Sequence, residues 1–305
     1  MEPTTHHILD DALGLIRRGR VAEGIDRLMG DLNRIRSTQG RRETAAAERS
    51  ALLRHAVTEL VHQDPLTYHA FAKPRGYPGD AELLDHIYRE IEPEELSEVG
   101  RVVNGYCLET GASRSVRARR EIVARAIDET AARVDGATIV SIACGHLREA
   151  ALSSALRAGT IGELIAIDQD ETSLAEIRRA YPGAPVRTVA ASVRQILTNR
   201  ATLPPCDLIY SAGLYDYLAL PTARRLTARM FAALKPGGRI LLANFAPDLR
   251  ERGYMETFMD WHLIYRDEEE MMRVIDEIAE GEIREVRTYR DGPGNLVFLE
   301  GWRAG

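Results

Sequence analysis

Lysine is nearly absent from this chain. It occurs only at Lys73 and Lys235, so 38 of the 40 basic residues are arginine, against 46 acidic residues and a net charge of −6. An acidic balance argues against a nucleic-acid partner, which would want a basic stripe. The one basic cluster, Arg114, Arg117, Arg119, Arg120 and Arg125, falls in a helical pattern beside Glu121, Asp128 and Glu129, and is read as a solvated helix face. Cysteine is scarce too. Cys107, Cys144 and Cys206 are odd in number and widely spaced, which excludes a disulfide framework and gives no metal-ligand pattern, so no metal is expected. No run of 18 apolar residues is present, so no helix is expected to span a membrane. The start, MEPTTHHILDD, lacks a basic region followed by an apolar run, and a cytoplasmic location is expected.

What remains is ordinary globular composition, 45% hydrophobic and 28% charged over 305 residues. That length suits one large domain or two modest ones. Up to about residue 135 the pattern is helical. Val21, Ile25, Leu28, Leu32 and Ile35 recur at steps of three and four, the mark of one buried helix face. Ala45 to Val61 is another such run, ended by Asp64-Pro65. Phe71 to Asp80, FAKPRGYPGD, holds two prolines and two glycines and reads as a loop or a pair of turns, with Asp80 able to cap the next helix. A further helix is expected from near Pro93, and a last one from near Ser113 to about Val134.

After Asp135-Gly136 the pattern changes. TIVSIA, ELIAID, PVRTVA, CDLIYSAG and GRILLANF are short apolar, β-branched runs. Helical patterns at Leu147–Ala158, Glu171–Ala180, Val193–Asn199 and Thr222–Leu234 separate them. Such alternation argues a parallel sheet covered by helices. Glu268–Ala279 reads as a helix, and EIREVRTYR and NLVFLEGW as two strands joined antiparallel through Asp291-Gly292-Pro293-Gly294.

In open α/β sheets, ligands bind beyond the carboxyl ends of the strands. The first strand ends in Ala143-Cys144-Gly145-His146, where a small residue lets a ligand approach the backbone and a following helix would offer free N–H groups. Asp168 ends the second strand 23 residues after Gly145, a spacing suited to accepting hydrogen bonds from ribose hydroxyls. Only Gly145 is glycine in this loop; Ala143 and Leu147 stand where a phosphate-binding loop would carry others.

The ordered set of strand-ACGH, ELIAID, CDLIYSAGLYDYL and LKPGGRILLANF resembles the class I S-adenosylmethionine (SAM) methyltransferases over about residues 136–302. The resemblance implies an α/β fold: a Rossmann-like sheet of seven strands, the last antiparallel, over 136–305, preceded by a helical lid or substrate region over 1–135. It implies SAM as cofactor, with Ala143, Gly145 and His146 at its amino-acid end, Asp168 and Gln169 at the ribose, and Ala191 and Ser192 toward the adenine. Ser192 reads equally as the N-cap of the next helix. Ser211 to Leu214 would lie beside the sulfonium. The fourth strand's tail lacks the Asn-Pro-Pro-Tyr or Asp-Pro-Pro-Tyr pattern of amide- and base-nitrogen methylases, so a small-molecule acceptor is expected rather than nucleic acid or membrane.

Tyrosines are dense near that tail and in the loop after the fifth strand. Tyr215, Tyr217, Tyr254, Trp261 and Tyr265 could wall a cation, and cation–π contact is worth roughly 0.5–2 kcal/mol. Tyr215, Tyr77 and His262 are the catalytic candidates, with Asp216 a second candidate base and Arg75 a carboxylate partner beside Tyr77. The leading expectation is a methyltransferase acting on the carboxylate or hydroxyl of a metabolite, similar to bacterial natural-product enzymes. The alternatives are a SAM cyclase releasing methylthioadenosine and azetidine-2-carboxylate, and a silent SAM-binding regulator. A homodimer is a further expectation.

Overall fold

The computed structural model describes residues 5–39, 52–91 and 95–305. The first part of the helical run Ala45–Val61 and the helix start near Pro93 lie outside the described residues. The chain divides into two compact units, Met1–Val116 with Asp248–His262, and Arg117–Pro247 with Leu263–Gly305.

The first unit is helical. Helices α1 (Thr5–Arg17) and α2 (Val21–Gln39) form a hairpin through Gly19, whose φ of 78° suits glycine at a helix end. Ile8, Leu9, Ala12 and Ile16 meet Ile25, Leu28 and Met29 in its buried seam. A side chain at Gly24 would stand 3.1 Å from the Ala12 carbonyl, so glycine sets how closely the hairpin packs. Short helices α3 (Ala56–Val61), α4 (Pro65–Ala72), α5 (Ala81–Tyr88) and α6 (Glu98–Leu108) follow. Asp64 caps α4 by accepting from the Leu66 and Thr67 N–H groups at 3.1 and 3.0 Å, and its Oδ1 also accepts from Asn104 of α6 at 2.7 Å. Asp80 caps α5 as expected, accepting from the Leu83 N–H at 2.8 Å. It also holds His69 Nε2 at 2.9 Å, which fastens the turn-rich segment between α4 and α5 at both ends.

α7 (Gly111–Arg133) carries the chain from the first unit into the second, and the division falls within it. The sheet therefore begins near residue 136, as the composition shift indicates, while the compact units part about twenty residues earlier. The segment Asp248–His262, far along the sequence, packs with the helical unit. It contains the helix Arg252–Phe258.

The second unit is a seven-stranded sheet of β1 (Thr138–Ile142), β2 (Glu163–Asp168), β3 (Val186–Ala190), β4 (Cys206–Ser211), β5 (Leu234–Phe245), β6 (Ile283–Arg290) and β7 (Leu296–Arg303). Their order is β3-β2-β1-β4-β5-β7-β6. β1 to β5 are parallel; β7 inserts between β5 and β6, antiparallel to both. Val140, Ile142, Ile165, Ile167, Ile209, Ile240 and Leu242 share one buried core with Leu226, Met230 and Phe231 of the helix Leu220–Ala232.

Two expected helices are shorter than their periodicity suggested. Instead of one helix over Leu147–Ala158 there is a single 3₁₀ turn, Ala150–Leu152, and a four-residue helix, Ser154–Arg157. The break has a specific cause. The Asp128 carboxylate of α7 accepts from Ser153 Oγ, Ser154 N, Ser154 Oγ and Ala155 N at 2.6 to 3.1 Å, starting a new helix there. Likewise Glu268–Ala279 resolves into a helix over Glu268–Met272, opened by an Asp267–Glu270 capping box, and a 3₁₀ turn over Arg273–Ile275.

Candidate functional site

Register places the carboxyl ends of three strands level. Ile142 pairs with Ile167, and Ser141 with Tyr210, so Ala143, Asp168 and Ser211 each begin the exit from neighbouring strands. Asp168 also pairs with Ala190 at the end of β3.

The loop after β1 has left-handed backbone at alternate residues: φ is 53° at Ala143, 53° at Gly145 and 55° at Leu147. Alanine and leucine rarely adopt this conformation, and outliers of this kind gather at ligand sites. The loop thus keeps the backbone path of a glycine-rich turn with one glycine, and surrounding bonds hold it there. The Cys144 N–H donates to the Ile167 carbonyl at 3.2 Å, and the Gly145 N–H to Asp168 Oδ2 at 2.9 Å. Tyr181 Oη donates to the Leu147 carbonyl at 2.8 Å, and Arg148 pairs with Glu176 at 3.1 Å. The Cys144 and Gly145 N–H groups are therefore already engaged, and no single helix over Leu147–Ala158 follows.

Asp168 is 8% exposed. Its Oδ1 accepts from the Asp170 N–H at 3.0 Å while Oδ2 takes Gly145, and each oxygen keeps a second lone pair. Gln169, beside it, is exposed. Ala191 and Ser192 follow β3; the Ala191 N–H donates to the Asp168 carbonyl at 2.9 Å. Ser192 is the N-cap of the helix Val193–Leu197, in a reciprocal box with Gln195. Ser211 is buried and its hydroxyl donates to the Ile142 carbonyl at 2.9 Å, bracing β4 against β1. His146 and Cys144 are buried in the loop, and burial pushes the Cys144 thiol well up, so it is no thiolate nucleophile.

The structure gathers Ala143, Gly145, His146, Asp168, Gln169, Ser192 and Ser211 around these strand ends. Of the three catalytic candidates only Tyr215 belongs to the sheet unit, and it is a correction. It is 0% exposed, its hydroxyl is 2.7 Å from Thr227 Oγ1, and burial pushes that hydroxyl upward. It packs in the sheet core because the chain after β4 makes a 3₁₀ turn, Tyr215–Tyr217, that turns it toward the helix Leu220–Ala232. Tyr77 lies partly buried in the α4–α5 turn of the helical unit. His262, in the same unit, is not in a helix; its side chain is 54% exposed and Nε2 lies 3.2 Å from Asp260 Oδ1. Asp260 in turn pairs with Lys73. Tyr254 packs within the helical unit, its hydroxyl 3.1 Å from Thr67 Oγ1, whereas Tyr215 and Tyr217 belong to the sheet unit. Asp216 is buried, accepts from the Phe245 N–H at 2.7 Å through Oδ1, and is pushed by burial up to about 6.

Three further residues at these strand ends were not singled out by the sequence pattern. Arg119, assigned to a solvated face, is 5% exposed, and its Nη1 donates to the Ala212 carbonyl at 2.6 Å. Glu149 and Tyr210 meet at 2.7 Å, the Tyr210 hydroxyl donating. A signal for Arg119 is present in the sequence: Val116, Arg119, Val123 and Ile127 form one stripe at helical spacing, so Arg119 interrupts an apolar face.

No protein-family model matches the sequence, and no curated protein matches it. Solved structures do. One, described as a "possible exported protein" from Bordetella parapertussis, fits with a TM-score of 0.63 at 18% identity, covering 86% of this chain and 98% of that one. A methyltransferase candidate from Thermobifida fusca fits with a TM-score of 0.51 at 15% identity, covering 74% and 94%. This chain has the class I methyltransferase fold. The seven strands with an antiparallel β7 match what the sequence resemblance implied. Among the described residues, no helix is long and apolar enough to cross a membrane, and no cluster of histidine, cysteine and carboxylate side chains could hold a metal ion.

Proposed function

We propose that this chain is a SAM-dependent methyltransferase acting on the carboxylate or hydroxyl of a small molecule. The observation that carries the reading is the junction of the β1 loop with Asp168. Three left-handed residues bring the Ala143–Leu147 backbone across the strand ends, and the Gly145 N–H fixes a carboxylate that retains acceptor capacity. Ribose hydroxyls donate to such a carboxylate, and two of them on adjacent carbons suit its two oxygens. Gly145 and Ala143 present little side chain, which suits close approach of a cofactor to the backbone. These residues fit SAM.

When bound, SAM supplies an electrophilic methyl carbon on its sulfonium. The chain's part is then to hold, orient and exclude water. Asp168 would hold the ribose, Gln169 lies beside it, and Ala191 and Ser192 would face the adenine. The Ser211 hydroxyl is committed to Ile142, so β4 would contribute its tail backbone rather than that side chain. A carboxylate acceptor is favoured over a hydroxyl, because it carries its own negative charge and needs no base. Tyr215 is sealed in the core and Asp216 is engaged by Phe245, so neither is placed to serve as one.

The test is product analysis. Purified protein incubated with SAM and a panel of metabolite carboxylic acids and alcohols should form S-adenosylhomocysteine only when an acceptor is present. Methylthioadenosine formed from SAM alone would overturn methyl transfer.

A further inference from the structure

Arg119 and Glu149 are opposite charges set near the carboxyl ends of β1 and β4, yet they do not pair. Among the described residues neither belongs to an ion pair within 4 Å. Arg119 Nη1 donates to the Ala212 carbonyl, and Glu149 Oε1 accepts from Tyr210 Oη. A guanidinium has five N–H donors and a carboxylate about four acceptor sites, so most of the capacity of both groups is unspent. Among the described residues no unpaired atom of either side chain is sealed from solvent, so that capacity stands open to an arriving ligand.

Their placement is tightly set. Arg119 lies under the chain that leaves β4; a side chain at Gly213 would stand 3.5 Å from its Nη1. Glu149 ends the left-handed loop that leaves β1, and Tyr210 of β4 holds it. Both therefore border the same strand ends as Asp168 and Gly145. Burial pushes the Glu149 carboxyl up, only partly offset by Tyr210 and by the charges of Arg119 and Arg120. An arriving cation would relieve that cost.

We infer that Glu149 and Arg119 form a clamp for a zwitterion, Glu149 taking an ammonium and Arg119 a carboxylate. Such a pair fits an α-amino acid head group, and at these strand ends that is the amino-acid end of SAM. The inference rests on the SAM reading above and adds the two side chains that hold its charged end. It makes the guanidinium of a helix preceding the sheet a cofactor-binding group, and Tyr210 a positioning residue for Glu149.

Calorimetric titration with three probes tests it. S-adenosylhomocysteine carries both charges, decarboxylated SAM keeps the amine and lacks the carboxylate, and 5′-methylthioadenosine lacks both. The unaltered protein should bind S-adenosylhomocysteine about 100-fold more tightly than 5′-methylthioadenosine. Arg119→Met should weaken S-adenosylhomocysteine about tenfold or more and leave decarboxylated SAM and 5′-methylthioadenosine unchanged. Glu149→Gln, which keeps an acceptor for Tyr210, should weaken both amine-bearing probes and leave 5′-methylthioadenosine unchanged. The two-probe comparison on the unaltered protein stands even where a variant fails to fold. Equal affinity of the unaltered protein for S-adenosylhomocysteine and 5′-methylthioadenosine overturns the clamp while keeping the SAM reading; so do variants that bind all three probes normally. No binding of any probe by the unaltered protein overturns both.

Discussion

At the scale of single residues, the clearest consequences concern buried carboxylates. Burial disfavours the charged form of Asp216 and pushes its carboxyl up to about 6, outweighing the Phe245 N–H and the nearby guanidinium groups of Arg119 and Arg266. Its folded value lies above its ordinary 3.8, so between those two values the folded state binds more protons than the unfolded one. This group therefore takes stability away as the solution goes from acidic to neutral. The cost is about 2–3 kcal/mol, each tenfold change in proton affinity being worth roughly 1.4 kcal/mol. Asp216→Asn keeps an acceptor for Phe245 and removes the titration. Chemical denaturation at pH 4, 5, 6 and 7 should show stability falling more steeply in the parent protein than in the variant; parallel curves would contradict the buried-carboxylate assignment. Ala143 gives a second residue-scale prediction. A left-handed non-glycine residue costs roughly 1–2 kcal/mol, and glycine costs about 0.5–1 kcal/mol of chain entropy. Ala143 is exposed, so Ala143→Gly should leave the melting temperature unchanged or raise it. Leu147→Gly relieves the same strain but deletes a buried side chain, and should cost about 2–4 kcal/mol. A melting temperature lowered by Ala143→Gly would show that the backbone there is unstrained.

At the scale of elements, caps and close approaches decide where helices start and what they touch. Asp128 holds four donors of the 153–155 segment. Burial opposes its ionisation, but hydrogen bonds from Ser153, Ser154 and Ala155 hold it below the ordinary carboxylate value. Asp128→Ala should cost about 1–3 kcal/mol by thermal unfolding. The stabilisation by Asp128 should fade as pH falls below the carboxylate range, since its folded value is the lower one. Equal stability of variant and parent across pH 3 to 7 would contradict this. Gly253 of the helix Arg252–Phe258 is a close approach: a side chain there would stand 2.5 Å from the Leu32 backbone carbon of α2. Gly253→Ala should destabilise the helical unit by about 2 kcal/mol or more, because backbone cannot yield as a flexible side chain does. These features also explain what the sequence showed and hid. β1 to β5 were legible because each is a short apolar run between helices, and the helix Glu171–Ala180 matches its periodicity to the residue. Asp128 breaking Leu147–Ala158 was not legible, since its partners lie about 25 residues away and periodicity carries no sign of a distant cap. Tyr215 was misjudged for a related reason: its position after a strand end was visible, but the 3₁₀ turn that points it inward was not.

At the scale of the whole molecule, the chain has the sheet of the class I methyltransferase fold and a helical unit that its sequence order only partly delimits. Composition separated helical from alternating sequence near residue 136. The return of Asp248–His262 to the helical unit is a tertiary fact, carried by Gly253 against α2 and by Tyr254 against Thr67, and no local pattern announces it. The site divides the same way. The strand-end positions of Ala143, Gly145 and Asp168 were legible because spacing along two strands places them. Arg119 was obscured because a charged residue on an apolar stripe was counted with its exposed neighbours. In the proposed function the strand ends beside Gly145 and Asp168 hold SAM through its ribose. Isothermal titration of SAM into the parent protein and into Asp168→Ala, both checked for folding by circular dichroism, tests it most directly. One site per chain is expected in the parent, with an affinity at least about tenfold weaker in the variant, or roughly 1.4 kcal/mol. Unchanged affinity in a folded Asp168→Ala protein, or no binding by the parent, would contradict it.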